Sequence, residues 1–282
     1  MAAGMFRWTR RAGLFALLLA TCALLPCRVY ADFTFVQVSD THIAANAKDP
    51  GFGARYEEAI RQINALDPAF VIHTGDALTN FSAENYALFK EMSAKLKPKL
   101  YVAPGNHDVG NKLGLNGAVT EETYNAWVQA NGCGHVSFEY DGCVFIGLTS
   151  ALFNSGLAAE REQSQWLDAQ LKAAGKKRIF VFQHAPVFET SPGEPSGGYN
   201  CIDEPVRSKL LKLFEKYKVE AVLYGHLHRF NESSFDGVNY IATPATSFSA
   251  LTGYRVFRIA PGGFTTYFAD VRAGAAPPEF GK

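Results

Sequence analysis

The chain has 282 residues, 48% of them hydrophobic, with 27 Lys and Arg set against 27 Asp and Glu for a net charge of zero. That composition is globular, not disordered, and the length supports one sizeable core or two small ones. A neutral balance gives no general attraction to nucleic acid or to an anionic membrane, so an anionic substrate would need a local positive centre.

Residues 1–31 read as an export leader. Arg7, Arg10 and Arg11 precede an uncharged apolar run at 13–25, and Val29-Tyr30-Ala31 supplies small residues where a signal peptidase reads. Cleavage after Ala31 would give a periplasmic or secreted protein. A retained anchor is the competing reading, but the run is short for a full span. Thr9-Arg10-Arg11 is a loose twin-arginine match. No stable membrane span is expected after cleavage. Cys22 and Cys27 leave with the leader. Cys133, Cys143 and Cys201 remain, as three thiols or with one disulfide, most simply Cys133 to Cys143.

A β-rich run at 33–38 ends at Ser39-Asp40, and helical spacing follows over 54–66. A second strand, 70–74, ends at Gly75-Asp76. Ser82 caps a helix over 82–96, and a third strand, 100–103, ends at Pro104-Gly105-Asn106-His107-Asp108. A helix over 120–131 leads to a hairpin, 136–140 and 143–148, turning at Asp141-Gly142. Then come helix 160–174, strand 178–182 ending at Gln183-His184, helix 203–217, and strand 221–224 ending at Gly225-His226. The tail is all β: 230–235, 238–242, 254–259 and 264–269, with Asp236-Gly237 and Gly262-Gly263 as turns. One domain over 32–273 and a loose end over 274–282 are expected. Strand–helix alternation implies parallel strands and the hairpins add antiparallel ones, so the predicted α/β class is a two-sheet mixed β-sandwich flanked by helices.

Five apolar strands thus end in polar clusters, and strand carboxyl ends form the ligand crevice of α/β sheets. Asp108 aside, the clusters hold two Asp, one Asn and five His without Cys, a hard-to-borderline donor set that suits Mn, Fe or Zn. Seven or eight ligands are too many for one ion. Two ions need a bridging anion, and Asp76 stands where Gly75 lets the backbone turn tightly. Taken singly, Asp-x-His or Gly-Asp is as often a cap or a turn as a ligand; in this order, each after a buried strand, chance explains them poorly. The remaining His73 and His135 are assigned to structure.

On these motifs the chain resembles the calcineurin-like metallophosphoesterase superfamily: Asp40-Thr41-His42, Gly75-Asp76, Gly105-Asn106-His107-Asp108, His184 and Gly225-His226-Leu227-His228. The resemblance implies that Asp40, His42, Asp76 and His228 hold one metal ion, and that Asp76, Asn106, His184 and His226 hold the second. It implies that His107, steered by Asp108, binds phosphate and protonates the leaving group. Val109-Gly110-Asn111, Gln165-Trp166-Leu167 and Phe182-Gln183-His184 look more narrowly like the branch of the calcineurin-like phosphoesterase domain-containing protein 1 and its bacterial relatives. Thr79 stands where the purple acid phosphatases carry a Tyr ligand, so a tyrosinate–iron centre is not expected.

The implied activity is phosphoric ester hydrolysis by a hydroxide held between two ions, on a small phosphate ester or a phosphoprotein. A phosphodiesterase for nucleotides or lipid head groups shares the whole pattern. A non-catalytic envelope metal or ligand binder is the third reading, and intact His107 and Asp108 speak against it. Phe153, Phe188 and Tyr199 are substrate walls or loop packing.

Overall fold

The computed structural model describes residues 32–46, 51–111, 113–114, 117–247 and 250–273. The expected leader and C-terminal end fall outside them. No helix among the described residues is long and apolar enough to cross a membrane.

The first sheet takes β1 (Phe33–Val38), β2 (Phe70–His73) and β3 (Lys99–Val102) in parallel, in the order β3-β2-β1. The second begins with the hairpin β4 (Val136–Tyr140) and β5 (Cys143–Gly147), then runs parallel through β6 (Arg178–Phe182) and β7 (Ala221–Tyr224). The tail strands divide between the sheets. β8 (Asn231–Phe235) and β9 (Val238–Ala242) join the second, with β9 parallel to β7. β10 (Gly253–Ala260) and β11 (Gly263–Asp270) return to the first, with β10 antiparallel to β1. The expected mixed two-sheet architecture is what forms. The pairing order of the tail was not legible, because a β hairpin carries no mark of which sheet it joins.

Strand alternation builds the core. In β1, Phe33 and Phe35 face the second sheet, while Val36 and Val38 face the helices outside the first. Between the sheets the rings of Phe35, Phe70, Phe145, Phe180 and Phe257 pack at centroid separations of 4.7–6.2 Å. Each such ring contributes about 1.5–3 kcal/mol by leaving water. Gln37 also points between the sheets and is fully buried. Its Nε2 donates to Thr74 Oγ1 and to the Tyr224 carbonyl, and its Oε1 accepts from Thr243. It ties three strand ends together directly beneath the polar clusters.

Helices cover both outer faces. α1 (Gly51–Leu66) and α2 (Ala83–Ser93) lie on the first sheet, with Ser82 capping α2 by accepting the Asn85 N–H. A one-turn helix, α3 (Asn106–Val109), opens at the third strand's polar cluster. α4 (Glu121–Asn131) ends at Gly132 in the left-handed conformation. α5 (Ala158–Ala174) and α6 (Val206–Lys216) cover the second sheet. α6 starts three residues later than predicted because Asp203 turns its carboxylate to the Gly197 N–H, and Glu204 caps the first turn through Ser208. Cys133, Cys143 and Cys201 are all free thiols, so the Cys133–Cys143 bridge does not form.

Candidate metal centre

The five strand-end clusters meet above the sandwich. Left-handed backbone is what aims them. Among the described residues ten non-glycine positions have positive φ, and five of these are Asp40, His42, Asp76, His226 and His228. Such residues cost about 1–2 kcal/mol each for an L side chain, and they cluster at functional sites because the surrounding fold imposes them. Here each one turns a side chain back across its strand end towards a common point. Gly105 is forced by the same crowding, since a Cβ there would lie 2.1 Å from Asp76 Oδ1.

Asp40, His42, Asp76 and His228 form one group and Asp76, His184 and His226 a second, each with its ligand atoms within 4.8 Å of one another. Asp76 belongs to both. Its Oδ1 accepts the His107 backbone N–H at 2.8 Å, while Oδ2 lies 3.1 Å from His184 Nε2 and 3.9 Å from His42 Nε2. Asp40 Oδ1 is 3.0 Å from His228 Nε2 and 3.9 Å from His42 Nε2, and Ser39 Oγ donates to its Oδ2 at 2.5 Å. Donor atoms bound to one ion at about 2.0–2.2 Å stand roughly 3–3.5 Å apart, close to the spacings seen here.

Tautomers test the fit further. His184 Nδ1 donates to the Thr74 carbonyl at 2.7 Å, and His226 Nε2 donates to the Tyr199 carbonyl at 3.2 Å. A carbonyl only accepts, so the other ring nitrogens, His184 Nε2 and His226 Nδ1, carry lone pairs when neutral. Those two nitrogens are 3.1 Å apart, and Asp76 Oδ2 is 3.1 Å from the first. Three lone pairs at that distance repel unless a cation lies among them. A proton can serve. Burial drives the His184 ring towards neutrality, but Asp76 and Asp40 outweigh it and lift it to about 9. Burial and then His184 push His226 down to about 4. Burial raises Asp40, yet its bond with His228 and the charge of His184 carry it down to about 2. A divalent ion meets the same demand with all three groups as ligands, and the carbonyl partners fix the rings as outer hydrogen bonds do around metal sites. The donor set fits metal ions.

Asn106 is buried at the edge of the second group. Its Nδ2 donates to Tyr199 Oη at 2.8 Å, so Oδ1 is the amide atom that could ligate an ion. His107 sits at the rim, its side chain 25% exposed, with Nε2 3.9 Å from Asp76 Oδ2. Its Nδ1 donates to the Thr79 carbonyl at 2.6 Å. This corrects one expectation: Asp108 does not steer the ring. The Asp108 carboxylate accepts the N–H groups of Gly105, Ala77 and Leu78, tying the third strand end to the second. Burial and then Asp76 raise Asp108 to about 7. Asp108 faces inward because α3 places consecutive residues on different sides of its turn. Thr79, noted only for not being Tyr, is the residue that holds His107, and its hydroxyl donates to the His42 carbonyl. Backbone partners leave no sequence signature, so Thr74, Thr79 and Tyr199 could not be picked out in these roles. Of the proposed walls, Phe153 and Tyr199 line the cleft beside the centre, whereas Phe188 packs against Phe235 and Tyr240 in the core.

The calcineurin-like phosphoesterase family model matches residues 33–230, which contain every residue of the centre. The chain belongs to that family. It is 30% identical over 206 residues to a serine/threonine-protein phosphatase of Bos taurus, CPPED1, covering 67% of this chain and 63% of that protein. The chain therefore spans under two thirds of that relative. It is 31% identical over 226 residues to a probable glycerophosphodiester phosphodiesterase, GpdQ, of Arcobacter nitrofigilis, covering 75% of this chain and 78% of that one. The fold is shared with the purple acid phosphatase PPD1 of yellow lupin, Lupinus luteus, at a TM-score of 0.57 and 15% identity, covering 87% of this chain and 52% of that one.

Proposed function

We propose that this phosphoesterase hydrolyses phosphoric monoesters, with two ions of Mn, Fe or Zn held by Asp40, His42, Asp76 and His228 and by Asp76, Asn106, His184 and His226. When bound, such ions would offset the charge of the phosphate oxygens and make a nearby water acidic. The observation that carries the reading is His107. Its ring is fixed through Nδ1 by the Thr79 carbonyl, which leaves Nε2, at the open face of the centre, as the atom that exchanges a proton. Protonated there, it donates to the departing alkoxide as the phosphorus–oxygen bond breaks. The buried Asp40 and Asp76 stay ionised and hold the ions. Asp108 stiffens the two loops and takes no part in proton transfer.

General-acid assistance is worth ~10²–10⁴-fold in rate. His107→Ala should therefore retain both ions while kcat on an alkyl phosphate falls by that factor, and fall less on an aryl phosphate whose leaving group needs no proton. Full activity on the alkyl ester would remove His107 from the mechanism. The diester reading is favoured by one observation, the GpdQ relative matched over 78% of its length. Parallel assays of the metal-loaded protein on a matched mono- and diester decide between them. Read as a leader, residues 1–31 favour export, which makes envelope or scavenged esters suit the chain better than cytosolic phosphoproteins.

A further inference from the structure

An open cleft of about 460 Å³, measured out into solvent, runs up to one half of the centre. Its lining takes in Asn106, His184 and His226 and none of Asp40, His42 and His228. Away from those ligands its walls are mostly apolar: Phe153 and Ile202, each 3% exposed, with Ala151, Ala185, Leu113 and the Tyr199 ring. No Asp, Glu, Lys or Arg is among its described lining residues. A charged group entering it would lose water and meet no counter-charge among these described residues beyond the centre itself, a loss of several kcal/mol in apolar surroundings.

One polar group in this lining lacks a partner. Asn111 is 8% exposed, and its Oδ1 accepts the Leu113 N–H at 2.8 Å, which fixes the orientation of the amide. Its Nδ2 is buried and has no hydrogen-bond partner. An unmet buried donor costs about 1–3 kcal/mol, and this one belongs to a residue lining the cleft. A bound molecule offering an acceptor would relieve that cost. Asn111 lies five residues beyond Asn106, so the donor and the centre sit at opposite ends of one short segment.

We propose that this cleft holds the organic group of the ester and selects an uncharged, largely apolar alcohol carrying one hydrogen-bond acceptor, which Asn111 Nδ2 meets. The assignment rests on the hydrolase reading above. Water adds to phosphorus, the phosphorus–oxygen bond to the alcohol breaks, the alcohol oxygen takes its proton from His107, a proton released from the attacking water restores His107, and the neutral alcohol leaves through the open mouth. Polyanionic and carboxylated esters are discriminated against by the walls, not by the centre.

Three esters of matched leaving-group reactivity test it: butyl phosphate, 4-hydroxybutyl phosphate and 4-phosphooxybutanoate. Their kcat/KM values on the metal-loaded protein are compared, together with the calorimetric Kd of butylphosphonate and 3-carboxypropylphosphonate. The carboxylated ester should fall at least about tenfold below the other two, the carboxylated phosphonate should bind correspondingly more weakly, and the hydroxybutyl ester should exceed the butyl ester. That last ratio should collapse to one in both Asn111→Asp, which keeps the acceptor for Leu113, and Asn111→Ala. Equal values across the series, or a hydroxybutyl-to-butyl ratio unmoved by both variants, would overturn the cleft assignment while leaving the hydrolase reading intact. Turnover of none of the esters, with the phosphonates still bound in the expected order, would sink the hydrolase reading and support the cleft.

Discussion

At the scale of single residues, His73 shows how a histidine can serve a metal centre without belonging to it. Its Nδ1 accepts the Gly75 N–H at 3.1 Å, so its Nε2 carries the proton and donates to Thr41 Oγ1, which donates to the Ala77 carbonyl. Thr41 lies between Asp40 and His42, and Gly75 precedes Asp76, so this one ring braces two ligand turns. A second proton would set N–H against N–H, and burial holds the ring down at about 3. With the folded value depressed below the ordinary ~6.5, the stabilisation is complete above about 6.5 and is lost as pH falls towards 3. His73→Gln should therefore be less stable than the parent at pH 7, and the gap in unfolding free energy should narrow steadily from pH 7 to pH 4. A gap independent of pH would show that the ring is not held neutral. The sequence placed His73 in a strand and gave it to structure, which its bonds support. The ligand candidates were legible for a different reason: Asp, Asn and His after apolar strands, beside glycine, have few structural excuses. Asp108 was misread because motif position says nothing about which way a short helix turns a side chain.

At the scale of elements, the long connection from β6 to α6 carries Tyr199 and one wall of the cleft, and it is built around Arg207. This side chain is fully buried, with no carboxylate paired to it among the described residues. Instead its guanidinium donates to the carbonyls of Ile202, Pro192, Glu194 and Pro195 and to Ser196 Oγ. The planar fork thus gathers several turns of the connection around one rigid group. Glu194 works from the other side, accepting the N–H groups of Glu189, Thr190 and Ser191. Arg207→Met keeps much of the apolar stem but leaves those carbonyls unmet. It should lower stability by about 1–3 kcal/mol and raise KM more than it lowers kcat, because the centre itself stands on other strand ends. An equal effect on both constants would place the loop in the chemistry. Helices and strands were readable from periodicity because each buries one face. This connection was not, since its order comes from an arginine whose role depends on carbonyls 5 to 15 residues away.

At the scale of the whole molecule, the two sheets do separate work. The first presents Asp40, Asp76 and the Gly105–Asp108 turn, and the second presents His184, His226 and His228. Neither sheet holds a complete ligand set, so ions bound in the centre join the sandwich across its open end as Gln37 joins it lower down. A ligand that binds only the folded state stabilises it by RT ln(1 + [L]/Kd), about 4 kcal/mol at a thousandfold excess over Kd. Chelation should therefore lower Tm, and Mn or Zn should restore it with a stoichiometry near two per chain. A Tm indifferent to chelator, in protein shown to have lost its metal, would mean the ions add nothing across the sheets. The same removal should speed amide exchange at residues 39–43, 75–79 and 225–229 while the interiors of β1, β2 and β7 stay protected; uniform exchange would place the weak point elsewhere. Glycine or asparagine would sit more comfortably at Asp40, His42, Asp76, His226 and His228. A descendant freed from catalysis would drift towards them and gain stability with each exchange, so idleness in this lineage would be written first at these five positions. Here all five still carry Asp or His in that strained conformation.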